Sequence, residues 1–174
     1  MRHAPGMVAR SMPTDPANNA HVDTPHVRTI EPNESPDKIL SGKEVYTLHV
    51  NLPNLTSASG SWVMNFAQLD EGDGPPFRLR SELSGPAVLQ TVDPKYPPSA
   101  IAQHVRGQVV LYAIIRKDGS VDSIQKVQGL DPQLDRNAMQ ALAQWKFSPA
   151  KRLGVPVDLE AVIYIPFTYE SPLP

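Results

Sequence analysis

The chain has 174 residues, 40% of them hydrophobic, with a formal net charge of -2 and no cysteine. That length supports one or two small domains. The charge gives no electrostatic case for nucleic acid, and the missing thiols exclude disulfides and thiolate metal sites without fixing a compartment.

Residues 1–41 are rich in Pro, Asn, Asp, Ser and Thr, and their short apolar residues follow no period. Such a segment cannot bury enough surface to offset its ordering entropy, so an unpacked linker is expected. Its start, Met1 to Arg10, is charged but lacks the apolar region of a signal peptide. His21, Asp23 and His26 cluster within it, but ligands in an unpacked tail have no neighbours to orient them, so no metal site is expected.

Residues 42–90 read as a β-hairpin-rich segment. Lys43 to Asn51 alternates with Tyr46, Leu48 and Val50 on one face, and Ser61 to Leu69 with Trp62, Met64 and Phe66 on one face. The turn-rich stretch Pro53 to Gly60 joins them. Asn54-Leu55-Thr56 fits a glycosylation acceptor, but turn chemistry explains it better. An isolated hairpin is marginal in water, so this one must pack on something. Phe77 to Arg80 and Val88 to Gln90 supply further short strands around Gly and Pro turns.

Residues 91–170 form a more clearly patterned module, followed by a tail at 171–174. Tyr96-Pro97-Pro98 places fixed-φ residues after an aromatic and leads into a short helix that Gly107 ends. Gln108 to Arg116 is apolar on both faces, which marks a central strand. Asp118-Gly119 is a hairpin turn. The returning strand Val121 to Gln128 breaks alternation and should be bulged or lie at an edge. Asp131-Pro132 caps a helix carrying Leu134, Ala138, Ala141, Leu142 and Trp145 as a stripe. Trp145 and Phe147 belong to the core by their spacing.

The last strand, Val155 to Phe167, puts Val157, Leu159, Ala161, Ile163, Ile165 and Phe167 on a core face. Asp158, Glu160, Val162 and Tyr164 fall on a wet one. Pro156 and Pro166 share the parity of that second set and cannot donate to a ladder, which implies a free sheet edge. The edge either only resists aggregation or receives a partner strand. Tyr96 is equally open: it either packs under the sheet or faces a docked peptide.

The five histidines are dispersed, and no metalloprotease, phosphate-loop or nucleophile-elbow motif appears. Asp131 and Asp135 are explained by helix-start chemistry. No enzyme and no cofactor are expected.

Asp93-Pro-Lys-Tyr-Pro97, Gly107-Gln-Val109, Asp118-Gly-Ser-Val-Asp122 and Trp145-Lys-Phe-Ser-Pro149 with the alternating strand after it resemble the TonB C-terminal domain. That resemblance implies an α+β fold, two helices on a three-stranded antiparallel sheet with the last strand at an edge. It also implies a periplasmic energy transducer anchored in the inner membrane and driven by an ExbB- and ExbD-like complex. Its partners are outer-membrane transporters, whose extended TonB box is received by strand addition. Carried onto this chain, the partner-binding residues are Pro94, Tyr96 and Pro97, with Val157, Asp158, Leu159, Glu160, Ala161, Val162, Ile163, Tyr164 and Ile165 of the recruiting strand. Asp93 stands where a glutamine often precedes the first proline. The absent anchor suggests a piece of a longer protein. The alternative is a TonB-like interaction or sensory module without a transport role, self-dimerising through the same edge.

Overall fold

The computed structural model describes residues 27–51, 61–69 and 83–168. The readings placed on residues 1–26, 52–60, 77–80 and 171–174 lie outside these. In chain order the elements are α1 (Pro36–Ile39), β1 (Tyr46–Asn51), β2 (Ser61–Gln68), β3 (Leu83–Ser84), β4 (Ala87–Gln90) and α2 (Pro98–Ala102). They continue with β5 (Gly107–Ile115), β6 (Val121–Gln128), α3 (Pro132–Ala143), β7 (Lys146–Ser148), β8 (Lys151–Arg152), β9 (Val155–Pro156) and β10 (Leu159–Phe167). Among the described residues no helix is long and apolar enough to cross a membrane.

The main sheet is antiparallel and five-stranded, in the order β1-β2-β10-β5-β6. The resemblance implied three strands with the last at an edge; the sheet has five instead, because the β1–β2 hairpin adds to β10 and makes it an inner strand. The hairpin and the following module therefore share one sheet. Two small ladders, β3-β8-β9 and β4-β7, lie outside it.

One face of the sheet carries the principal core. Trp62, Met64 and Phe66 from β2, Leu111 and Ala113 from β5, and Ala161 and Ile163 from β10 meet Leu134, Ala138 and Leu142 of α3. Trp145 and Phe147, just after α3, are buried in it. Asp131 caps α3, its carboxylate accepting from Gln133 N at 2.9 Å and Leu134 N at 3.2 Å. Replacing it by alanine leaves both donors without that acceptor, and Asp131→Ala is expected to lower stability by about 1 kcal/mol in urea titrations. An unchanged midpoint would mean that the cap contributes nothing.

The β5–β6 turn shows why the Asp-Gly pair is needed. Gly119 has φ +84°, and a Cβ there would lie 1.9 Å from the Phe147 carbonyl oxygen. The Phe147 amide in turn donates to the Gly119 carbonyl at 2.9 Å. The hairpin tip is thereby tied to β7. β6 is an edge strand with two register shifts against β5 and a left-handed residue at Ser123, φ 51°.

The opposite face of the sheet is covered too, which corrects two expectations. Residues 27–40, read as part of an unpacked linker, bring Val27, Ile30, Ile39 and Leu40 onto Val110, Tyr112, Ile114 and Val162. Arg28 Nη1 donates to Ile39 O at 2.8 Å, and Ile30 N to Gln125 Oε1 at 2.9 Å. The face of the last strand expected to be wet is consequently dry: Asp158 is 7% exposed, Glu160 2% and Val162 1%. Periodicity registered the polar residues on that face but not the segment that covers them.

The last strand is also not a single run. Val155 and Pro156 turn aside as β9 to pair with β8, and the main-sheet strand begins at Leu159. Between them Val157 donates its amide to Ala150 O at 3.0 Å.

Candidate functional site

Two features were expected to receive a partner: the side of β10 facing away from β5, and the Tyr96-Pro97 lead-in. The first is occupied by the chain itself. β10 pairs with β2 from Leu159 opposite Gln68 to Tyr164 opposite Val63. Just before this ladder Leu69 N donates to Asp158 O at 3.1 Å. Alternation along an antiparallel pair then turns the backbone groups of Glu160, Val162 and Tyr164 toward β2 as well. Pro166, on the same parity, lies beyond the last pair, where its missing donor costs no ladder bond. Only Pro166 lies on this strand, since Pro156 belongs to β9, and Val157, Asp158, Leu159, Glu160, Ala161, Val162, Ile163, Tyr164 and Ile165 do not form a free edge. β2 fills it.

The acids on this strand have structural work. Asp158 accepts from Lys117 N at 2.7 Å and Arg116 Nη1 at 3.3 Å. Glu160 is paired with Lys43 Nζ at 2.6 Å and accepts from Tyr112 Oη at 2.9 Å. Burial, followed by the adjacent Glu160 carboxylate, raises the Tyr112 phenol well above its ordinary value of 10.0. Lys43 lies just before β1, so this buried pair ties the entry of the hairpin to the middle of β10.

β2 is not a loosely held occupant. Trp62, Met64 and Phe66 are each no more than 1% exposed. The Trp62 ring stacks on Trp145 at 4.5 Å with 17° between planes, and Phe66 meets Phe147 edge-on at 6.0 Å. Exposing three such side chains costs roughly 5 to 9 kcal/mol at about 1.5 to 3 kcal/mol each. A peptide replacing β2 would restore the ladder bonds without replacing that burial.

The Tyr-Pro lead-in is different, because it borders open space. Trp145 Nε1 donates to Val92 O at 2.9 Å, and Asn137 Nδ2 to Lys95 O at 2.8 Å. These bonds hold residues 92–98 against the C-terminal side of the core and leave a groove of about 810 Å³. Asp93, Pro94, Tyr96, Pro97 and Ile101 line it from the lead-in and α2, and Gln133 and Arg136 from α3. Tyr96 packs at the end of the sheet, its hydroxyl donating to Val105 O and its ring meeting Phe167 edge-on at 5.7 Å, and it also borders the groove. His104 is exposed with φ 52° at the end of α2. The structure thus gathers Pro94, Tyr96 and Pro97 in one groove and places the β10 residues in the middle of the sheet.

Residues 92–170 match the family of the Gram-negative bacterial TonB protein C-terminal region. Residues 92–170 are thus similar to the TonB C-terminal domain. Over 74 residues it is 32% identical to Protein TonB of Escherichia coli K12, covering 42% of this chain and 31% of that protein. Over 84 residues it is 37% identical to Protein TonB of Pseudomonas aeruginosa PAO1, covering 48% of this chain and 25% of that protein. The chain therefore spans about a third or less of these relatives. A solution NMR structure of the Pseudomonas aeruginosa TonB C-terminal domain is 28% identical, with a TM-score of 0.43 over 53% of this chain and 92% of that one.

The TonB domain match begins at residue 92, so β1 and β2 lie before it. Sequence reasoning found both strands and required that they pack, but it missed their position on β10. The available signal was the pairing need itself: an amphipathic hairpin with Trp62, Met64 and Phe66 on one face beside a strand with one unpaired side.

Proposed function

We propose that this chain carries the transporter-facing end of a TonB-like energy transducer. In this reading it works in the periplasm and is joined through further chain to an inner-membrane anchor driven by an ExbB- and ExbD-like complex. Its partner is the TonB box of an outer-membrane transporter, held as an extended strand while force is applied. The TonB domain match over residues 92–170 carries the reading, and the groove that Pro94, Tyr96 and Pro97 border supports it, with Tyr96 and Pro97 half-buried beside buried Pro94.

The residues Val157 to Ile165 enter this proposal as the load-bearing centre. Leu159 to Tyr164 are laddered on both sides, so a pull along β10 is shared by two rows of hydrogen bonds, each contributing about 1 kcal/mol net. Parallel rows loaded together resist better than a single peeling edge. The test is an amide chemical-shift titration of the whole chain with a TonB-box peptide of an outer-membrane transporter. Saturable shifts that include residues 93–98 are expected. A spectrum unmoved at millimolar peptide would remove the transducer reading.

A further inference from the structure

With β10 enclosed, the sheet presents two outer edges, and they differ. β6 is blunted: it is bulged at two places, carries Asp122 and Lys126, and has Gln125 bonded to Arg28 O and Ile30 N of the covering segment. β1 pairs with β2 through six residues, Tyr46 to Asn51, without a register shift. It contains no proline and no lysine, and its single titratable group among the outward side chains is His49. Sheets that must not recruit a strand protect their edges with such charges, prolines and bulges. β1 has none of these.

The register shows which backbone groups face outward. The Leu69 to Asp158 bond assigns the odd-numbered residues of β2 to β10, so its even-numbered residues turn toward β1. Phe66, Met64 and Trp62 stand opposite Tyr46, Leu48 and Val50. Thr47, His49 and Asn51 accordingly turn their N–H and C=O groups to the outside, and their side chains are exposed. Among the described residues no strand pairs with that side.

We infer that the outer edge of β1, rather than β10, accepts the extended segment of the transporter, with the β1–β2 hairpin acting as a built-in extension of the recruiting strand. This rests on the transducer reading above and specifies where its strand addition occurs. Only another strand satisfies a row of alternating donors and acceptors at this spacing. β1 also ends in the right place. Asn51 pairs with Ser61, and continuing the β2–β10 register brings Ser61 level with Pro166, next to the Phe167 ring that Tyr96 contacts. A peptide on β1 would thus lie about 14 Å, three strand spacings, from β10 at the end of the sheet that carries the Tyr-Pro lead-in. A second copy of the chain is a poorer occupant, because stable homodimers bury on the order of 1,200 Å² or more and a six-residue edge alone falls short of that.

Amide hydrogen exchange on the whole chain, with and without the same TonB-box peptide, tests the inference. Thr47 and His49 amides should exchange rapidly in the free chain and at least tenfold more slowly when the peptide is saturating. Glu160 and Val162 amides should be protected throughout. His49→Pro removes an outward amide only and should weaken binding about tenfold with the fold retained; if that variant does not fold, the wild-type exchange pattern decides. Groove shifts with unchanged Thr47 and His49 exchange would overturn the inference and leave the transducer reading intact. Loss of Glu160 and Val162 protection would mean that the peptide displaces β2, which also overturns it. Protection of Thr47 and His49 that grows with protein concentration alone would assign the edge to a second copy. Absence of any peptide binding would remove both readings together.

Discussion

Replacing Trp62 by alanine should lower the unfolding free energy by about 3 to 5 kcal/mol, the cost of deleting a fully buried aromatic and leaving a cavity. Trp62 is 0% exposed and stacked on Trp145, so the loss includes the ring contact as well as apolar area. Among the described residues its indole nitrogen is buried without a hydrogen-bond partner. Trp62→Phe therefore breaks no hydrogen bond and should cost clearly less than Trp62→Ala. Urea unfolding followed by circular dichroism measures both. If Trp62→Ala were near neutral, β2 would be a dispensable attachment, and the argument that β10 is permanently enclosed would fail with it.

The second large effect is expected at the buried ion pair. Lys43→Met leaves the Glu160 carboxylate, 2% exposed, with only the Tyr112 hydroxyl as a partner among the interactions described above. Removing one member of a buried pair costs about 3 to 5 kcal/mol, because the other is left charged away from water. Glu160→Gln should cost less, since the amide can still accept from Tyr112 and the Lys43 side chain is 25% exposed and can reach solvent. The Lys43→Met/Glu160→Gln double variant should therefore be more stable than Lys43→Met alone. A double-mutant cycle with no coupling would show that the pair does not hold the hairpin entry to β10.

Together these effects describe a TonB-like domain in which the side of β10 facing away from β5 is covered by preceding chain. The hairpin contributes core side chains as well as backbone bonds, and that difference decides between a displaceable occupant and a fixed one. Ladder bonds can be exchanged for those of a peptide at little net change, but the burial of Trp62, Met64 and Phe66 cannot.

The sequence by itself determined the local elements. The both-face apolar run of β5, the Asp131-Pro132 start of α3, the Asp118-Gly119 turn and the period-2 strands β1 and β2 all follow from short-range rules of dihedral preference, capping and alternation. The resemblance to the TonB C-terminal domain was legible too, through the Tyr96-Pro97, Asp118-Gly119 and Trp145 to Pro149 motifs. The restriction at Pro166 was also legible, but its parity with Pro156 was not informative, because Pro156 pairs with β8 in a separate ladder. What only the tertiary structure decided is which surfaces those elements cover. Alternation reports that one face of a strand is polar, but Glu160 is buried because Lys43, more than a hundred residues earlier, supplies its counter-charge. Likewise, Pro166 identifies a position that tolerates a lost donor, yet cannot name the neighbour on that side. β2 occupies that side because the stacking of Trp62 on Trp145 and the burial beneath it favour this pairing over an open edge. Such long-range contacts carry no signature in local spacing, since they depend on the match between two surfaces that form only when the chain folds.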